Sequence, residues 1–221
     1  MTRIHWPPAG FEDRATFVRP SVVLNDPALC ASQPIQGLAA SSANTLAHAV
    51  EGGASKLGNP VSVLVAREAE RLIIAAWQRE DLGDSERDQL ALASLLAGYV
   101  IDAAWYGFHH ILAQALVRGA GIGHGAANAA LLPHTIAALE HRTPGAVDPD
   151  AALVALATRL AAVAGALSLE QLGVPRDALP ALVDALLWRP ELDNIVPRAE
   201  PEELLALYEV AWPQAPSLDR G

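Results

Sequence analysis

The sequence predicts an all-α domain, a helical bundle preceded by one orphan strand. Three observations point there. Alanine, the strongest helix former, makes up about a fifth of the 221 residues. Hydrophobic residues reach 52% while aromatics are only 5%, so a packed core is affordable without β-rich runs. Apolar positions recur at helical spacing from residue 34 onward.

The elements follow in order. Residues 1–20 are Pro-rich and irregular. Ser21-Val22-Val23-Leu24 is a short apolar run closed by Asn25-Asp26-Pro27, which reads as a strand and turn. A single strand makes no sheet, so its partners are expected outside this chain. Ser41 or Ser42 is placed to cap a helix carrying Asn44, His48 and Glu51, weakened at its end by Gly52 and Gly53. Pro60 suits the first turn of a second helix running to about Arg79. Asp84 or Ser85 caps a third, long segment ending near Arg118, with Gly107 placed to kink or divide it. The stretch GAGIGHG (119–125) reads as a loop, because four glycines in seven residues disfavour a helix. Helices are expected at 126–141, 150–167, 176–188 and 201–211, punctuated by prolines in the tail.

Composition excludes several function classes. Fifteen Lys+Arg against 25 Asp+Glu give a formal charge of -10, a surface that repels phosphate backbones, so no nucleic-acid partner is expected. One cysteine, Cys30, permits neither an intrachain disulfide nor a CxxC metal site, and a cytoplasmic setting fits. The first residues lack an apolar signal core. The longest apolar stretches, 89–118 and 151–169, are broken by Asp102, His109, His110 and Arg159, so no membrane span is expected.

The seven histidines carry the functional signal. Asn44 and His48 are four apart, on one face of a helix, where an amide oxygen and an imidazole nitrogen can share a cation. His110 lies in the apolar helix YGFHHILAQAL with Gln114 one turn later, and His124 follows the glycine loop. Three imidazoles and one oxygen would suit Fe2+ or Zn2+ and leave a position open for a small-molecule substrate. The competing reading is structural. An Asn/His pair at this spacing is common by chance, and a histidine in an apolar helix is more often a hydrogen-bonded core residue. Adjacent residues such as His109 and His110 point about 100° apart, so one of them faces a given site.

The wording around those histidines adds to the spacing. NTLAHAVEGGASKLGNPVSVLVAREAERLI (44–73) and GFHHILAQALVRGAGIGHGAANAALLPHTIAAL (107–139) resemble the metal-binding segments of the iron-containing alcohol dehydrogenase family. DPAL (26–29) resembles its link between domains. The tail from 168 to 212, Asn at 44 and the His109-His110 doublet resemble the maleylacetate reductase branch. The resemblance implies Asn44, His48, His110 and His124 as metal ligands for Fe2+ or Zn2+. It implies NAD(P)H-linked reduction of a small carbonyl or a maleylacetate-like keto acid.

Two departures matter. Many relatives carry Asp at position 44, and a neutral amide leaves the 2+ charge uncompensated, weakening retention while leaving a stronger Lewis acid. Many also carry a His where Gln114 stands, and an amide exchanges no proton near neutral pH. A catalytic proton must then pass through His109, water or the substrate. The resemblance also implies a nucleotide-binding α/β domain with a GGGS-type loop. GAGIGHG follows a helix rather than a strand, so it fails as a dinucleotide loop. Residues 1–33 are therefore expected to be the remnant strand and linker of that missing domain, and 34–221 the metal-binding domain. The nucleotide-binding part would be supplied in trans, with homo-oligomerisation and exposed apolar surface near Trp6–Pro8 and 21–24. The alternative is a non-catalytic metal-binding or structural helical domain that pairs with a partner protein.

Overall fold

A computed structural model describes residues 2–3, 17–18, 20–79, 81–143 and 151–213. Eight helices carry the described fold: α1 (Ile35–Ala54), α2 (Pro60–Trp77), α3 (Asp84–Ala104), α4 (Phe108–Gly119), α5 (His124–Arg142), α6 (Ala151–Ala164), α7 (Leu179–Asp184) and α8 (Pro201–Ala211). The predicted orphan strand does not form. Ser21–Leu24 is irregular, and Val22, Val23 and Leu24 are exposed. With no strand beside it, the run has nothing to satisfy its backbone as β structure. The only strand pairing among the described residues is a two-residue antiparallel ladder, β1 (Thr2–Arg3) against β2 (Phe17–Val18). Trp6–Pro8 lie outside the described residues.

α1 begins six residues before the expected Ser41, directly after Pro34, and both serines are interior. Its small residues Ala39, Ala43, Ala47 and Ala49 are almost wholly buried, and they lie on more than one face. Small side chains let α2, α3, α5 and α6 all pack against this one helix. Gly52 takes this furthest: a Cβ there would lie 2.1 Å from Cγ1 of Val100 on α3. α2 starts where the sequence indicates. The Asn59 side chain accepts from the N–H groups of Val61 and Ser62, and Ser62 Oγ accepts from the Asn59 N–H.

The long third segment divides at the expected place. α3 and α4 meet at a bend of 102° across Trp105-Tyr106-Gly107. Trp105 takes φ 60°, ψ -168°, a region a bulky side chain rarely enters and a costly one locally. Neighbouring segments clamp the corner. Ser55 Oγ donates to Ala104 O at 2.6 Å, Lys56 N–H to Asn194 O at 2.8 Å, and Asn194 Nδ2 to Tyr106 O at 2.8 Å. The end of α1, the corner and the stretch before α8 are thus one knot.

The predicted tail helix 176–188 is shorter. A single 3-10 turn at Arg176–Ala178 leads into α7, and a second 3-10 turn occupies Pro190–Asn194. α8 closes over α5 and α7. Tyr208 is fully buried and donates to Leu112 O at 2.8 Å, so its hydroxyl is not stranded in the core. Among the described residues no single helix is long and apolar enough to cross a membrane. α3 and α4 reach that only as the bent pair.

Candidate metal centre

The candidate site sits where α1, α4 and the start of α5 approach one another. Asn44 and His48 lie one turn apart on α1. His109 and His110 open α4, and His124 is the first residue of α5. The rings of His48 and His110 stack with centroids 4.0 Å apart and planes at 10°. His109 meets His110 edge-on at 5.0 Å. His124 is the exposed member, so the cluster is open to solvent on its side.

Three of the four implied ligands carry an unanswered atom. Asn44 Oδ1, His48 Nδ1 and His110 Nε2 are all buried with no hydrogen-bond partner. Buried polar atoms are paired in the great majority of cases, so three strays on one cluster call for an explanation. A shared cation supplies one. The protonation states agree. Burial first, then the neighbouring histidines, pushes His48 well below the ordinary histidine range. Burial likewise takes His109 and His110 down to about 3. All three are neutral near pH 7, the form with a lone pair to give a metal.

The donors are gathered but not convergent. Among the described residues no three His, Cys, Asp or Glu side chains already surround one point as metal ligands. Parallel rings aim their lone pairs side by side, so His48 or His110 must tilt to share an ion. His124 is also engaged: Asn128 Nδ2 lies 3.2 Å from its Nε2.

Two groups hold the cluster in place. Glu51, 1% exposed, reaches from α1 to the N-terminus of α4. Its Oε1 accepts from the His109 N–H at 2.7 Å, and its Oε2 lies 2.6 Å from His110 Nδ1. Burial raises its pKa, while His109 and the N–H groups of Gly107, His109 and His110 act to lower it. On the other side, His109 spends both ring nitrogens. Nδ1 is 2.7 Å from Thr135 Oγ1 and Nε2 is 3.0 Å from Asn128 Oδ1. Since Asn128 Nδ2 donates to His124 O at 2.8 Å, its Oδ1 must accept from His109 Nε2–H. Thr135, His109, Asn128 and His124 therefore form one hydrogen-bonded chain from the core to the exposed edge.

Gln114 belongs to a neighbouring network. Its Oε1 accepts from both terminal nitrogens of Arg189 at 3.2 Å. Arg189 also grips Glu191 bidentately, at 2.9 and 3.0 Å, and donates to the Tyr106 hydroxyl at 3.3 Å. Burial works against the Arg189 charge, but Glu191 outweighs it and raises the pKa. The Tyr106 ring lies 5.7 Å from that of His110, joining this network to the histidines.

Sequence reasoning placed Glu51 on the right helix without a role, and it missed Thr135, Asn128, Tyr106, Arg189 and Glu191. Glu51 had a signal: a lone acid three residues after His48 in an otherwise apolar stretch. Arg189 and Glu191 pair across two positions, but nothing local ties them to the site, because their other partners, Gln114 and Tyr106, lie more than 70 residues away.

Comparison with known proteins identifies the family of this fold. The Fe-containing alcohol dehydrogenase family, C-terminal, matches residues 38–211. A maleylacetate reductase of Sphingobium indicum is 35% identical over 175 residues, covering 73% of this chain and 49% of that protein. A 1,3-propanediol dehydrogenase of Klebsiella pneumoniae is 42% identical over 118 residues, covering 52% of this chain and 30% of that protein. The crystal structure of maleylacetate reductase from Rhizobium sp. strain MTP-10005 superposes with a TM-score of 0.74 at 29% identity, over 85% of this chain and 55% of that one. The chain thus spans about half the length of the maleylacetate reductases it matches. With the family's C-terminal signature running from α1 through α8 and the fold shared, the chain belongs to the iron-containing alcohol dehydrogenase family, as its C-terminal domain.

Proposed function

We propose that this chain is the metal-holding part of an oxidoreductase that uses NAD(P)H to reduce a small carbonyl or a maleylacetate-like keto acid. The observation that carries this reading is the trio of stranded ligand atoms on Asn44, His48 and His110. Asn44, His48, His110 and His124 would hold Fe2+ or Zn2+, which when bound supplies a Lewis acid for negative charge developing on the substrate oxygen. The chain's own residues prepare the place. Burial keeps the imidazoles neutral, and exposed His124 marks the side from which a substrate enters. The Thr135–His109–Asn128–His124 chain orients His109 and His124, but its Asn128 amide relays no proton between them. Gln114, held by Arg189, orients its surroundings without exchanging protons.

The nicotinamide would come from a nucleotide-binding domain or subunit, with residues 1–33 as the connection to it. Val22, Leu24 and Leu29, exposed by 72%, 87% and 77%, support a covering partner there. Exposed Val61 and Leu64 on α2, with Leu92, Leu95 and Tyr99 on α3, support self-association.

Elemental analysis of the 221-residue chain after anaerobic loading with Fe2+ or Zn2+ tests the reading. Stoichiometric metal is expected, falling to background in Asn44→Ala and His110→Ala. Equal metal in both variants would sink it. The chain alone is expected to bind NADH poorly. A second reading, a metal-binding or structural domain without redox chemistry, draws on Gln114 and on His109 having both nitrogens committed. Stoichiometric metal without NADH oxidation, when substrate and a nucleotide-binding half are added, would favour it.

A further inference from the structure

The metal reading leaves Glu51 without a part, although its buried carboxyl touches both His109 and His110. Gly107, the residue before α4, has no side chain to cap the helix, whose first N–H groups point into the protein. Glu51 answers them from a different helix. Oε1 accepts from His109 N–H at 2.7 Å and Oε2 faces His110 N–H at 3.4 Å. An anionic acceptor is what a helix N-terminus favours. The same Oε2 lies 2.6 Å from His110 Nδ1, a short contact of the charge-assisted kind. With Oε2 accepting, the proton of a neutral His110 sits on Nδ1. Nε2 is then a bare lone pair, and it is the atom left buried without a partner.

We propose that Glu51 is the positioning residue of this centre: one carboxylate caps α4 and fixes His110 in the Nδ1–H tautomer, so that Nε2 is presented as a ligand. Glu51 sets the ring's orientation and the helix's position together, because both oxygens are anchored to the backbone that carries the ring. The space around it is correspondingly tight. A Cβ on Gly107 would come within 3.0 Å of Oε1 and 2.5 Å of Ile195 Cγ1. The role of Nε2 as a ligand rests on the metal reading above; the tautomer and the cap do not.

The test uses the full chain labelled with 15N-histidine. Long-range 1H–15N correlation spectra of the metal-free protein report the tautomer of His110, which a merely structural Glu51 would not set. Nδ1–H is expected, and Nε2–H would overturn the proposal. Glu51→Gln keeps an acceptor for the His109 N–H but turns an amide N–H2 toward Nδ1, which should drive the proton to Nε2. With helical content retained by circular dichroism, Zn2+ affinity should then fall about 10- to 100-fold. Zn2+ binding within twofold of wild type, with Nδ1–H kept, would overturn it. If Glu51→Gln does not fold, the wild-type tautomer decides. A wild-type chain that binds no Zn2+ overturns the metal reading alone, and the tautomer still rules for or against Glu51.

Discussion

Acid should unfold this protein earlier than its composition suggests, because the fold keeps two deep histidines from taking protons. The perturbation is a shift from pH 7 to pH 5. His109 and His110 are 1% and 2% exposed, and both are held down to about 3 against an unfolded value near 6.5. A depressed folded pKa gives stability that is complete above 6.5 and is lost as the pH falls from there toward 3. At pH 5 the unfolded chain gains about 2 kcal/mol per histidine by protonation, while the folded chain gains almost nothing. The pair then removes about 4 kcal/mol, a large part of the roughly 5–15 kcal/mol that domains possess. His48 adds in the same direction. Glu51, whose pKa is raised by burial, works oppositely, since its penalty is relieved as it protonates. Urea unfolding followed by circular dichroism at both pH values measures the difference. Stabilities within about 1 kcal/mol of each other, or His109 and His110 titrating near 6.5 in NMR spectra, would refute the reasoning.

Three further outcomes follow from packing and hydrogen bonding. Gly52→Ala drives a methyl to 2.1 Å from Val100 Cγ1 and should cost about 1–3 kcal/mol by forcing α1 and α3 apart; a melting temperature equal to wild type would contradict the close approach. Arg189→Ala strands Glu191, which is 4% exposed, beside Tyr106, and should destabilise by about 3–5 kcal/mol. The double variant Arg189→Met, Glu191→Leu should recover much of that loss in the same melt, and no recovery would argue against a buried ion pair. Asn59→Ala removes two hydrogen bonds at the start of α2 and should cost about 1 kcal/mol in urea titration.

Local chemistry made much of the bundle legible. Asn59-Pro60 announces α2, Gly107 marks the division of α3 from α4, and the glycine-rich stretch before His124 ends one helix and frees the next. The start of α1 was misplaced because serine is a good cap wherever it stands, and Pro34 offered a competing start. Val22–Leu24 looked like a strand because apolar runs do. Pairing depends on neighbours that a local pattern does not contain, and the run stays irregular. At the candidate site, spacing and resemblance singled out Asn44, His48, His110 and His124. What holds them was not: Glu51 meets His109 and His110 across 58 and 59 positions, and Arg189 meets Gln114 across 75. Contacts of that span come from packing and leave no periodicity behind.

The knot at the α3–α4 corner has a consequence for where damage can enter. Asn194 ties down Tyr106 O, and Arg189 secures Gln114 and Tyr106, all from a stretch more than sixty residues past His124. A nonsense codon just after position 188 would spare every candidate ligand and still cost the centre its floor. Residues 189–194 are thus a keystone set late, and a nascent chain finishes its site only after they have been made.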